Sequence, residues 1–388
     1  MISSHIAHAV RAIPPSGIRA FFDLVAACPD AISLGIGEPD SVTPWAFREA
    51  AIHAIERGRT AYTSTLGLLD LRRAIADYLR GRFGVRFDPR REILVTVGVS
   101  QALDLAVRAI TNPGDEIIVV EPSFVAYSPV VTLAGGRPVP LATRAGENWR
   151  VDIRRLARLI TPRTRAILLN SPCNPTGSAS PREEMEAVAH LAQRNDLLLL
   201  SDEIYAELTF DGEHTCLPAL GRAARARTLL LSGLSKGWAM TGWRVGYVCG
   251  HAALIAAMAK IHQHTMMCVA TPSQWAAVEA LRAGEGEVAI MREAYRERRD
   301  RMMGAFREMG LPCVPPRGAF YAFPSIASTG LTSQEFARRL LSEERVAVVP
   351  GDAFGAPGEG HVRCAFAASF DRVDEAMDRM ARFVERLR

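Results

Sequence analysis

From about residue 93 to residue 249, short and wholly apolar runs alternate with longer amphipathic stretches, and this alternation constrains the fold more than any other feature. The runs are EILVTV, EIIVVEP, RAILLN, LLLLSDE, TLLLSGLS and RVGYVCG; SQALDLAVRAI, FVAYSPVVTLAG and PREEMEAVAHLAQR stand between them. A strand with one wet face alternates apolar and polar residues, whereas a strand apolar throughout is covered on both faces. Helices between successive strands allow those strands to pair in parallel. The expectation is an α/β domain whose mostly parallel sheet lies between layers of helices.

After residue 250 the texture changes. A helical stretch runs from His251 to about Ala283, GEGE breaks it, and a second helix continues through Met309. Beyond come short strand-like pieces, GAFYAFP, VAVVP and HVRCAFA, interleaved with the helical TSQEFARRLLSEE and DRVDEAMDRMARFVERL. That mixture predicts a smaller α+β domain joined by the N-terminal segment. The expected division is a large domain over 46–283 and a small one made of 1–45 and 284–388.

Charge and cysteine usage exclude several classes of function. The 46 basic and 42 acidic side chains leave a net charge of +4, dispersed through mixed segments such as RERRDR at 296–301, which reads as the solvated face of a helix. No basic block suggests nucleic acid. The 7 cysteines show no CxxC spacing and read as reduced thiols of a cytoplasmic protein. HQHTMMC at 262–268 resembles a metal cluster, but His262 and His264 fall on different helix faces without a carboxylate nearby, so no metal is expected. The N-terminal MISSHIAHAVRAIPPSG lacks a charged start followed by an apolar core, and no apolar run reaches membrane-spanning length. Neither a signal peptide nor a membrane contact is expected.

In parallel α/β sheets the ligand site forms beyond the carboxyl ends of the strands. Four such ends are distinctive. After ILVTV come Gly98, Val99, Ser100 and Gln101, a glycine turn into a helix whose start is capped by Ser100 and whose free N–H groups suit a phosphate. After RAILLN comes SPCNPTG, with the amide of Asn174 held between prolines. After LLLLS comes Asp202, costly at the end of a buried strand unless a cation or donor meets it, with Tyr205 three residues on. After TLLLS come Ser235 and Lys236, with Arg244 eight residues further.

Lys236 is one of two lysines among the 46 basic residues. Arginine stays protonated at any ordinary pH, whereas lysine can lose its proton and attack a carbonyl. No G-x-G-x-x-G follows a strand and no G-x-x-x-x-G-K-[ST] is present, which removes dinucleotide and P-loop readings. A phosphate cradle, an anion, a phenol, an amide and an imine-forming lysine together match the needs of pyridoxal 5′-phosphate.

LSKGWAMTGWRVGY, SPCNPTG, SDEIY and SLGIGEPD resemble the class I/II aminotransferases of fold type I, the aspartate aminotransferase superfamily, and the likeness runs from about residue 10 to the C-terminus. SGIRAFFD, GLLDLRRAIADYL, GAFYAFP and VAVVPGDAFG are most similar to its prokaryotic aromatic and aspartate subgroup. The resemblance implies a seven-stranded, mostly parallel sheet in the large domain. It implies a homodimer in which Tyr62 reaches the partner's cofactor phosphate, Phe124 stacking on the cofactor ring, Gly37 over the substrate, and Arg363 clamping the substrate α-carboxylate in a two-pronged pair.

The implied reaction is transamination: Lys236 holds the cofactor until an amino acid displaces it, then acts as base and acid, with ping-pong kinetics. Ser100 stands where some relatives carry a lysine for a side-chain carboxylate, and TMMCVA at 265–270 adds no fixed charge. An apolar or aromatic donor is therefore favoured, with an acidic 2-oxo acid such as 2-oxoglutarate as acceptor. An aspartate- or alanine-type aminotransferase is an alternative, as is a lyase, decarboxylase or synthase on the same scaffold. A transcription-factor sensor would need more chain before SLGIGEPD to hold a DNA-binding domain.

Overall fold

The computed structural model describes residues 5–14, 25 and 28–388; SGIRAFFD lies outside them. We number the strands in chain order. Strand β1 (Ile32–Ser33) precedes the central sheet of β2 (Ile93–Val97), β3 (Glu116–Glu121), β4 (Arg137–Ala142), β5 (Thr164–Asn170), β6 (Leu198–Asp202), β7 (Thr228–Gly233) and β8 (Val245–Cys249). The order across this seven-stranded sheet is β2-β8-β7-β6-β5-β3-β4. Only β8 is reversed, pairing antiparallel with both β2 and β7. The expected mostly parallel sheet is therefore present, and its central strands are buried over most of their length, Arg165 of β5 being exposed.

Side chains of one strand serve two cores. Ile117 and Val119 of β3 pack with Leu103 and Ala106 of the helix Gly98–Ile110. Ile118 turns the other way, into a cluster with Met185 and Val188 of the helix Arg182–Arg194. This is why the runs lack alternation: both pleat faces exclude water.

The sequence reading missed β4, RPVPLA. Pro138 and Pro140 remove alternate N–H donors, which an edge strand tolerates because it pairs on one side only; β4 pairs with β3 alone. The expected single helix 251–283 is two, Ala252–Thr265 and Thr271–Ala283. Met267 takes a left-handed φ of 69°, and Pro272 sits in the first turn of the second helix, where its missing N–H costs nothing. In GEGE only Gly284 breaks the helices, since the next begins at Glu285.

RERRDR is not a purely solvated face either. From the helix Glu285–Glu308, Arg298 pairs with Asp40 at 2.9 Å, Arg299 pairs with Asp211 at 2.5 Å, Arg301 pairs with Asp374, and Arg296 donates to the carbonyl of Phe210. Arginine's long stem lets a polar stripe serve as tertiary fastening.

The remaining strands are β9 (Tyr321–Ala322), β10 (Val346–Ala347), β11 (Val349–Pro350) and β12 (Val362–Ala365), with β12 between β11 and β9. β1 pairs in parallel with β10, so the N-terminal segment joins the C-terminal strands. Phe336 of the helix Ser333–Glu344, whose start carries a Thr332/Glu335 capping box, meets Phe383 of the helix Phe370–Glu385 in the core behind them.

Candidate active site

Parallel register brings the strand ends to one level: Asn170 of β5 pairs with Asp202 of β6, and Asp202 with Leu231 of β7. Because β8 runs the opposite way, the residue before it, Arg244, lies at the same edge. A cavity of about 560 Å³ opens there, lined by residues from each of these ends.

At one corner the helix Gly98–Ile110 points its first turn into the cavity. Gly98 has φ 70°, and a Cβ on it would lie 2.4 Å from Nη2 of Arg244, so this guanidinium rests directly on the turn. The Gly98 N–H donates to the Arg244 carbonyl at 3.1 Å, and Nη1 of Arg244 donates to the Thr241 carbonyl at 2.9 Å. Ser100 is not the cap: the helix begins two residues earlier, and the Gln101 side chain instead accepts from the Val97 N–H at 2.7 Å. Ser100 thus sits inside the first turn and lines the cavity with Val99 and Ser235. The hydroxyl of Ser232, near the end of β7, donates away to the Glu203 carbonyl at 3.3 Å.

At the opposite corner Asp202 meets donors but no paired cation. Tyr127 donates to it at 2.7 Å and the Ile204 N–H at 3.1 Å. Burial, partly offset by those two bonds, raises its pKa from 3.8 to about 6. Asn170 donates to the Asp202 carbonyl at 2.8 Å and accepts from the Asn174 N–H at 2.8 Å, which fixes the SPCNPTG turn against β6. The ring of Phe124 stands edge-on to Tyr127, centroids 5.8 Å apart.

Between these corners lies Lys236, its Nζ donating to the Gly37 carbonyl at 2.5 Å. Burial lowers its pKa from 10.5 to about 8, and the charges of Arg363 and Arg244 act in the same direction. Arg363 is buried, donating from Nη1 to Asn174 Oδ1 at 2.9 Å and from Nη2 to the Gly35 carbonyl at 2.7 Å. Its guanidinium lies between the rings of Tyr321 and Phe354, at 4.4 and 4.9 Å from their centroids. Its Nε is buried without a hydrogen-bond partner among the described residues.

The cavity therefore unites Gly37, Val99, Ser100, Phe124, Asn174, Asp202, Tyr205, Ser235, Lys236, Arg244 and Arg363. Gly98 lies behind Arg244 rather than on the lining, and Tyr62 stands apart from the cavity, 81% exposed. Sequence reasoning missed Asn170, Tyr127 and Tyr321, which also line it. Tyr127 lies three residues beyond Phe124, and Tyr321 within GAFYAFP, so the only available signal was proximity to residues already singled out.

The donor set fits pyridoxal phosphate: an uncapped helix start under a guanidinium for the phosphate, a buried acid for the ring nitrogen, and a lysine of lowered pKa for the aldehyde. Fold and site together define a pyridoxal-phosphate-dependent transferase of fold type I. The family description "Aminotransferase class I and II" matches residues 29–380, and the chain belongs to that family.

The YugH protein of Bacillus subtilis (strain 168) is 48% identical over 99% of this chain and 100% of its own length. The aspartate aminotransferase of Pyrococcus abyssi is 43% identical over 95% of each chain. The crystal structure of an aromatic aminotransferase from Pyrococcus horikoshii OT3 superposes with a TM-score of 0.90 at 41% identity, covering 94% of this chain and 99% of that one. The protein is an aminotransferase, uses pyridoxal 5′-phosphate, and takes amino acids and 2-oxo acids as substrates. No helix among the described residues is long and apolar enough to cross a membrane.

Proposed function

We propose that this enzyme transfers the amino group of an apolar or aromatic L-amino acid to an acidic 2-oxo acid such as 2-oxoglutarate, with Lys236 as the group that moves the proton. When bound, the cofactor supplies an electrophilic carbonyl carbon and an electron-withdrawing ring that acidifies the substrate α-C–H. The first turn of the helix Gly98–Ile110, with Ser100, Ser235 and Arg244, holds the phosphate; Asp202 holds the ring nitrogen protonated; Asn174 and Tyr205 donate to the phenolic oxygen; Phe124 covers the ring. Arg363 seats the substrate α-carboxylate: its contacts to Asn174 and Gly35 use two of its five N–H donors, and the unpartnered Nε–H is among those left over. Gly37 leaves room above the substrate and receives the lysine amine on its carbonyl.

A single observation carries the reading. Burial holds the Lys236 amine near pKa 8 beside Asp202, Arg244 and Arg363, so near neutral pH it is neutral in an appreciable fraction of molecules and can act as both nucleophile and base. The donor preference rests on a count of cations. Once Arg244 serves the phosphate and Arg363 the α-carboxylate, no further arginine among the described residues lines the cavity to meet a side-chain carboxylate.

Seven unpaired cysteines fit a reducing compartment such as the cytoplasm. We also assign the large domain to 46–283 and the small one to 1–45 with 284–388.

The test combines spectroscopy with product analysis. Amino acids added singly to the reconstituted enzyme bleach the lysine-bound chromophore when they are donors; phenylalanine, tyrosine or leucine should act at lower concentration than aspartate. Each donor should yield one equivalent of 2-oxo acid and one of aminated acceptor, which a lyase would not produce. Lys236→Arg should lose at least about a thousandfold in turnover while its circular dichroism matches the wild type. Wild-type turnover in that variant would end the assignment.

A further inference from the structure

Tyr321 makes contacts that no part of the proposed function uses. It stands on β9 opposite Ala365, two residues past Arg363 on the neighbouring strand. Its hydroxyl lies 3.0 Å from that of Tyr205, and its ring is one of the two faces on which the Arg363 guanidinium rests, 4.4 Å from the centroid. A Cβ on Gly37 would lie 2.7 Å from the same hydroxyl, and a Cβ on Gly177, at the end of SPCNPTG, would lie 2.4 Å from the Tyr321 carbonyl. One residue therefore touches the phenol, the guanidinium, the glycine segment and the turn that carries Asn174.

Filling space does not explain it. The neighbours Phe320 and Phe323 fill this core without a hydroxyl, whereas Tyr321 is 1% exposed and a buried hydroxyl is costly unless paired. Two phenols share one hydrogen bond, so one donates and the other accepts. Neither hydroxyl has a second side-chain or backbone partner among the described residues, and the contact alone allows either direction; where Tyr205 gives its proton to the cofactor's phenolic oxygen, as assigned above, its hydroxyl can only accept from Tyr321. Tyr205 then keeps its own proton for an acceptor in the cavity.

Resting on the cofactor assignment above, we propose that Tyr321 is a positioning residue with two separable parts. Its hydroxyl fixes Tyr205 as a donor towards the cofactor's phenolic oxygen, and its ring holds Arg363 in place for the substrate carboxylate. The two subsites are thereby set against each other by one side chain. A hydrogen bond received by Tyr205 makes its own O–H the stronger donor, which favours the anionic phenolic oxygen and the deprotonated chromophore.

Tyr321→Phe removes the hydroxyl and keeps the ring; Tyr321→Leu removes both. In reconstituted Tyr321→Phe, the midpoint of the chromophore's absorbance titration should rise by about half a pH unit or more, and the cofactor dissociation constant by about three- to tenfold. Its KM for the amino donor should stay within about twofold of wild type. Tyr321→Leu should show the same spectral change with a KM raised by about tenfold.

A midpoint and cofactor affinity unchanged in Tyr321→Phe would overturn the inference whether or not the leucine variant folds. A KM raised as much by phenylalanine as by leucine would overturn the division between ring and hydroxyl. Failure of the wild-type protein to bind the cofactor through Lys236 would instead remove the cofactor assignment, and this inference with it.

Discussion

At the scale of single residues, Asp202 shows what burial does to a functional acid. Without the cofactor it gains only the Tyr127 hydroxyl and the Ile204 N–H as donors, and its pKa rises from 3.8 to about 6. An acid whose folded pKa lies above its unfolded value costs stability as pH climbs from the lower value through the higher. For this shift the cost is on the order of 3 kcal/mol once pH exceeds about 6, and it vanishes below about 4. The Tyr127 hydrogen bond reduces that cost because it favours the charged form. In the apo-protein, Tyr127→Phe should therefore be more destabilising at pH 8 than at pH 5, by about 1–2 kcal/mol in urea unfolding. Equal destabilisation at the two pH values would mean that Tyr127 acts by packing alone. Lys236 stood out because the chain uses arginine almost everywhere else, and Asp202 because a charge ended a buried run. Tyr127 and Tyr321 carried no such contrast, since an aromatic among apolar neighbours looks like core until its hydroxyl is seen to have a partner.

At the scale of elements, the parallel strands and the strand ends bearing the site were legible because both-face burial removes polar residues from a strand and makes those at its end conspicuous. The edge strand β4 was not, because pairing on one side tolerates prolines that normally argue against a strand. The helix break at 266–270 was hidden for a related reason: Met and Cys are at home in a helix, and only the backbone records that Met267 is left-handed. Ser100 is not the cap because the helix already begins at Gly98, where its first turn packs closely on a glycine of β8. A Cβ on Gly246 of β8 would lie 2.5 Å from the Gly98 carbonyl carbon and 2.7 Å from the Val99 nitrogen. The helix can approach β8 only because residue 246 is glycine, and that approach carries the first turn under Arg244. Gly246→Ala should push the turn back, weakening cofactor binding by more than about tenfold in a fluorescence titration and costing about 1–3 kcal/mol of stability. Unchanged cofactor affinity would show that the turn has slack that this contact denies.

At the scale of the whole molecule, the N-terminal segment crosses the site and then leads to a surface that water covers poorly. Ser33 pairs with Ala347, the Leu34 carbonyl accepts from Ala365, Gly37 receives Lys236, and Asp40 accepts from Arg298 and Tyr295. The following helix Trp45–Glu56 exposes Trp45, Ile52 and Ile55, with Val42 before it and Tyr62 after it also exposed. Residues 45, 52 and 55 share one helical face, so the exposure forms a stripe, and stripes of this kind mark contact surfaces. A second copy of the chain is the proposed occupant, with Tyr62 entering its partner's phosphate corner. Trp45→Asp with Ile55→Asp should then reduce the sedimenting species from two chains to one of 42.3 kDa and weaken cofactor binding with it. The decisive version uses two dead variants. In the proposed dimer Tyr62→Ala would spoil the partner's site and Lys236→Ala its own, so a hybrid would keep one intact site, made from the lysine of one chain and the tyrosine of the other. Co-expressed and randomly assorted, the pair should recover about a quarter of wild-type turnover, because half the dimers are hybrids with one working site each. Recovery no greater than the sum of the two parent variants would place Tyr62 in its own subunit's chemistry or outside the chemistry altogether.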